Sequence, residues 1–207
     1  MKKENVTEKS TMDKILDAAI PLFAMKGYAA VSVKELAEAA GVNIALISYY
    51  FGGKENLYAA VLQTQFVVIA ETIDVIRKKD HLNPAEKIRL FGQLVAKSHI
   101  KCPYTSHLVY GEFINPTASF DTIVKKELSQ LNNFLSDCIR EAIKVGQFRA
   151  DLDPEYAALS LSGIVNFYFF TQNLSKEILP PRENQAEYYI NQAVETYLHG
   201  VLAPSKL

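Results

Sequence analysis

The segment from Ser32 to Phe51 constrains this chain more tightly than any other. Ser32-Val33-Lys34-Glu35 has the spacing of a capping box, in which a hydroxyl and a carboxylate three residues apart satisfy the free amides at a helix start. It opens a short helix to about Ala39. Ala40-Gly41-Val42 then turns the chain, a second short helix runs from Ile44 to about Phe51, and Gly52-Gly53 breaks it. Two short helices about a tight glycine turn suit DNA reading, because the first braces the second at a steep angle and lets it enter the major groove. Leu36, Ala37, Ala40, Val42, Ile47 and Phe51 are apolar or small where the two helices must touch. Asn43, Ile44, Ala45, Ser48, Tyr49 and Tyr50 are left to face outward.

Helical periodicity continues along the rest of the chain, and the alternating Val, Ile and Thr runs of strands are missing, so the fold class is all-α. A helix capped at Ser10 buries Ile15, Leu16, Ala19, Leu22 and Phe23, is expected to kink at Pro21, and ends at Gly27. A long helix runs from Lys54 towards Lys78 or Lys79. Asn83-Pro84 opens a helix to about Ile100, and shorter and longer ones follow at Ser106 to Ile114 and Phe120 to Val145. Asp153-Pro154 starts an apolar helix to about Asn173, and a last amphipathic one spans Glu183 to Val201. The expected division is a three-helix DNA-binding domain at 1–53 and a helical domain at 54–207.

Composition narrows the function classes. The 207 residues are 49% hydrophobic and 22% charged with a net charge of -1, the profile of an ordinary globular protein. No apolar run follows the N-terminal lysines, and Ser160, Ser162, Asn166 and Thr171 interrupt the longest uncharged stretch, so the expectation is a cytoplasmic protein with no membrane partner. Cys102 and Cys138 read as buried thiols rather than a disulfide framework. His99, Cys102 and His107 straddle Pro103 and lack a fourth ligand, so no metal is expected. No nucleophile-base pair or phosphate loop supports an enzyme, and no cofactor is implied. A small helical enzyme or carrier and a protein-interaction module remain the rival classes.

The run from Ile15 to Leu62 resembles the N-terminal domain of the TetR family of bacterial transcriptional regulators. The resemblance is carried by Leu22-Phe23, Lys26-Gly27-Tyr28, Gly41-Val42 and Phe51-Gly-Gly-Lys54-Glu55-Asn-Leu57. It implies a homodimer on a roughly palindromic double-stranded operator, usually a repressor released by a small effector. By position, Ser32 and Val33 would meet phosphate or the groove edge, Ile44, Ala45, Ser48 and Tyr49 would face bases, and Asn43, Tyr50 and Lys54 would hold phosphates. The family's layout makes Phe66, Phe91, Tyr110, Phe113 and Phe167 candidates for lining a cavity that suits an apolar or aromatic effector. It also points to the last two helices as the dimer interface, through Ser160, Gly163 and Phe167 on one and Tyr189, Gln192, Ala193, Thr196 and Tyr197 on the other.

The reading face is lean in charge. Ile44 stands where the family often has lysine, Leu46 where it has threonine or serine, and Ser48 where it has tyrosine. Residues 1–60 hold seven lysines (2, 3, 9, 14, 26, 34, 54) against seven acids (4, 8, 13, 17, 35, 38, 55), and the first arginine is Arg77. Without arginine no bidentate guanine contact is available, so methyl and hydroxyl contacts are expected to share the work of recognition.

Overall fold

The computed structural model describes residues 10–202, so Lys2, Lys3, Glu4, Glu8 and Lys9 lie outside the described residues. The helices are α1 (Thr11–Lys26), α2 (Val33–Ala40), α3 (Ala45–Phe51), α4 (Lys54–Arg77), α5 (Pro84–Lys101), α6 (Thr105–Ile114), α7 (Lys125–Lys144), α8 (Pro154–Phe170), α9 (Gln172–Ile178) and α10 (Gln185–Val201). Among the described residues the only β pairing is an isolated bridge between Phe148 and Leu202. The fold is all-α.

The start signals act as local chemistry requires, with informative departures. Asn83 and Glu86 close a full capping box, each side chain accepting from the other's backbone amide at 3.0 and 2.8 Å. Ser32 forms only half of one. Its Oγ accepts from the Glu35 amide at 3.1 Å, while the Glu35 carboxylate pairs instead with Lys26 Nζ at the end of α1. The diverted carboxylate thereby ties α2 to α1. Gly41 takes the left-handed conformation, at φ 65°, that the turn between α2 and α3 demands. Pro21 lies inside α1, which continues to Lys26.

Two boundaries differ from expectation. The helix predicted from Phe120 begins as a π-helical turn, Phe120–Val124, before α7 proper. The apolar helix predicted to reach Asn173 ends at Phe170; at the break the Thr171 hydroxyl donates to the Phe167 carbonyl at 2.8 Å and lies 2.9 Å from Ser175 Oγ. The short α9 then follows as a separate element.

Two hydrophobic clusters hold the molecule together. One gathers Ile15, Phe23, Leu36 and Ile47 from the first three helices around Leu57, Val61 and Leu62 of α4, and it also takes in Leu108 of α6 and Val124. The other packs α5, α7, α8 and α10 around Phe91, Leu135, Leu161 and Leu198, and reaches α4 at Ile73 and Ile76. Ile69 touches both clusters. By length and apolar content α4 could cross a bilayer, yet here its two ends are shared between two protein cores.

α5 and α10 approach closely at Gly92, where an added Cβ would lie 2.7 Å from Val194 Cγ2. A larger side chain must push these helices apart. Gly92→Val is therefore expected to lower unfolding free energy by about 1–3 kcal/mol, measured by urea denaturation; an unchanged midpoint would show that the helices do not pack at this depth.

Candidate functional site

The exposed face of α3 is built on one buried residue. Ile47 is completely buried and fixes α3 against α2 and α4, which turns Ile44, Ala45, Ser48, Tyr49 and Tyr50 to solvent. Tyr49 is 79% exposed, and Tyr49 and Tyr50 pack edge to face at 5.0 Å between centroids. Both tyrosines therefore lie outside the core. Phe51 is half-buried against it, as are Val42 and Ala40.

The flanking polar residues are partly engaged within the chain. Asn43 Oδ1 accepts from the Ala45 amide at 2.9 Å, capping α3 and leaving the side-chain amine free. Ser32 is exposed and its Oγ still has a proton to donate, whereas Val33 is half-buried against the N-terminal cluster. Lys54 departs most from expectation. Its Nζ donates to the Val31 carbonyl at 2.7 Å and sits 4.3 Å from the centroid of the Tyr28 ring, so it clamps the start of α4 to the strand of loop before α2. Its remaining protons are the ones available to a phosphate.

Behind this unit lies a cavity of about 660 Å³ bounded by α4, α5, α6, α7 and α8. Phe91, Tyr110 and Phe113 line it as the family resemblance implies. Phe66 and Phe167 do not. Phe66 is 3% exposed and packs in the N-terminal cluster, because the α4 face that meets the cavity carries Gln65, Val68, Ile69 and Thr72. Phe167 is 58% exposed on the outside of α8, while its neighbour Asn166 points the polar side of that helix at the cavity.

The cavity also holds polar residues that the aromatic pattern did not reveal. His99 stacks on Phe169 at 3.5 Å between centroids, and burial pushes its pKa down to about 4, so the imidazole is neutral. His99 and Cys102 line this cavity, whereas His107 faces a separate groove beside α1, so the three do not converge. Thr72 and Ser98 interrupt otherwise apolar helix faces, which is the signal that could have located them. Cys138 is buried in the core and its thiol is pushed up to about 11, chiefly by burial.

On the outer surface, the two helices expected at a dimer interface divide between inward and outward residues. Ser160, Gly163 and Phe167 of α8 and Gln192 and Thr196 of α10 are exposed. Tyr197 and Ala193 are buried within the chain, correcting their assignment to the interface: the Tyr197 hydroxyl donates to the Ala157 carbonyl at 2.9 Å and fixes α10 to α8. Tyr189 is half-buried, stacked on Tyr168 and bonded to the Ile164 carbonyl at 2.9 Å. Tyr156 and Ile164 extend the outward apolar face of α8.

Residues 15–61, which span α1 to the first turns of α4, match the family of bacterial regulatory proteins designated tetR. The chain is a TetR-family transcriptional regulator. YttP of Bacillus subtilis is 42% identical over 65 residues, an alignment that spans 31% of this chain and 31% of YttP. The transcriptional repressor NicS of Pseudomonas putida is 25% identical over 162 residues, covering 76% of this chain and 75% of NicS. The fold also matches the ketosteroid transcriptional regulator KstR2 of Mycobacterium tuberculosis with a TM-score of 0.77 at 18% identity, over 94% of this chain and 96% of that one. As a TetR-family regulator the protein binds DNA through its helix-turn-helix and is not an enzyme.

Support and contact are separable in this helix-turn-helix. Tyr49→Ala is expected to leave the unfolding midpoint unchanged while weakening DNA binding about tenfold, the loss of one good base contact. Ile47→Ala is expected to cost about 2–4 kcal/mol of stability by opening a core cavity. Fluorescence anisotropy on DNA and thermal unfolding measure the pair, and a stability loss with Tyr49→Ala would place that ring in the core.

Proposed function

We propose that this TetR-family regulator is a homodimeric repressor whose two α3 helices read successive major grooves of a near-palindromic operator, and that an apolar or aromatic effector entering the cavity releases it. The observation that carries this reading is the double role of α4. Its first half holds the helix-turn-helix through Leu57, Val61 and Leu62, and its second half lines the cavity through Gln65, Val68 and Thr72. α6 lies beside it, with Leu108 in the N-terminal cluster and Tyr110 and Phe113 on the cavity. A ligand that tilts these helices would change the separation of paired α3 helices.

In this reading Ile44, Ala45, Ser48 and Tyr49 contact bases, and Ser32, Asn43, Tyr50 and the free protons of Lys54 contact phosphate. Val33 contributes through the α2 backbone, since its side chain packs inward. The dimer forms through the outward residues of α8 and α10: Ser160, Phe167, Gln192 and Thr196, extended by Tyr156 and Ile164, with Gly163 between this face and the cavity wall. Its apolar members Tyr156, Ile164 and Phe167 are exposed in the described chain. The NicS repressor, similar across most of both chains, is a precedent for the sign of regulation.

A gel shift on the DNA upstream of the protein's own gene tests the reading. A specific complex is expected, with log affinity falling against log salt at a slope of magnitude below about 5, equivalent to fewer than about six neutralised phosphates. A folded dimer that binds no such DNA at low salt would instead favour a protein partner for the helix-turn-helix.

A further inference from the structure

Four of the hydroxyls around the cavity have their protons already in use. Thr72 Oγ1 donates to the Val68 carbonyl at 2.8 Å, Ser98 Oγ to the Leu94 carbonyl at 2.8 Å, and Ser129 Oγ to the Lys125 carbonyl at 2.6 Å. Thr105 Oγ1 has one proton and two acceptors, Gln65 Oε1 at 2.8 Å and the Cys102 carbonyl at 3.0 Å. Each of these hydroxyls keeps only oxygen lone pairs for a guest.

His99 follows the same logic through its tautomer. Asn166 Nδ2 donates to the Ser162 carbonyl at 2.9 Å, which fixes the amide and makes its Oδ1 an acceptor. His99 Nε2 lies 3.4 Å from that oxygen and must carry the ring proton. Nδ1 is then a lone-pair acceptor, and it is buried with no partner. Burial keeps the ring neutral, so this nitrogen does not acquire a proton of its own near neutral pH.

Charge is nearly absent from the wall. Among the described residues Lys125 is the one charged residue in the lining, and its Nζ sits 3.6 Å from Asp121 with its side chain 67% exposed, at the surface rather than over the cavity floor. Tyr110, Asn132, Asn133, Ser106 and Ser162 also line the cavity and retain donors, but these are uncharged. None of them supplies the counter-charge that a buried carboxylate needs.

We propose that the effector is an uncharged amphipathic molecule, aromatic or aliphatic in body, bearing a hydroxyl or N–H group that donates a hydrogen bond to the acceptor wall formed by His99, Ser98 and Thr72. This rests on reading the cavity as the effector site, and it excludes carboxylates of the same shape. The missing bond at His99 Nδ1 is the one such a donor completes.

Isothermal titration calorimetry of the full-length protein at neutral pH with 4-butylphenol, 4-butylanisole and 4-butylbenzoate provides the test, since the three share ring and tail and differ in the polar head. The phenol is expected to bind at least about tenfold more tightly than either other compound, about 1.4 kcal/mol. His99→Leu, checked for folding by circular dichroism, is expected to abolish the preference for phenol over anisole. Equal binding of phenol and anisole would overturn the donor requirement, and benzoate binding as tightly as phenol would overturn the neutral class, each leaving the cavity as a ligand site. Failure of all three to bind would remove the cavity reading together with this one. The wild-type comparison decides the question even if His99→Leu does not fold.

Discussion

The sharing of α4 between two cores is the constraint on which the rest of the structure depends. Leu57, Val61 and Leu62 near its start and Ile76 near its end are fully buried, in different clusters. Each such side chain stabilises its cluster by roughly 1.5–3 kcal/mol, so neither end of the helix can leave its core cheaply. A helix anchored at both ends transmits displacement rather than absorbing it. Lys54 adds a directional tie, holding the first turn of α4 to the Val31 carbonyl immediately before α2.

α6 completes the connection with an unusual buried group. Glu112 is 1% exposed; its Oε2 accepts from the Thr117 amide and hydroxyl at 3.2 and 3.1 Å, while Oε1 has no partner. Tyr58 of α4 has its phenol pushed far above the ordinary range, first by burial and then by Glu112. A buried carboxylate facing a phenol between α4 and α6, one turn from the cavity residue Val109, makes the contact between these helices polar and position-sensitive rather than a smooth apolar slide.

Most of the DNA-reading face was legible because local rules decide it. A capping serine, a left-handed Gly41 and the single inward position Ile47 set the rotation of α3, and that rotation alone exposes Ile44, Ser48, Tyr49 and Tyr50. Positions whose role depends on a distant element were less legible. Lys54 looked like a free cation until Val31 and Tyr28 closed around it, and Glu35 looked like a capping partner until Lys26 drew it away. Phe66 and Phe167 share the aromatic spacing of true lining residues, and only the packing of α4 and α8 turns one into the core and the other outward. Tyr197 and Ala193 fall inward because α10 must first pack on α8 before any surface is left for a second chain.

Coupling between two sites is reciprocal, so under the proposed mechanism DNA bound through the helix-turn-helix would act on the cavity as much as an effector there acts on DNA. Hydrogen exchange by mass spectrometry, with and without operator DNA, measures this directly. The account predicts altered protection not only in α2 and α3 but also in the cavity half of α4, around Gln65 to Thr72, and in α6. Changes confined to residues before Lys54, with α4 beyond Leu62 and α6 untouched, would contradict it.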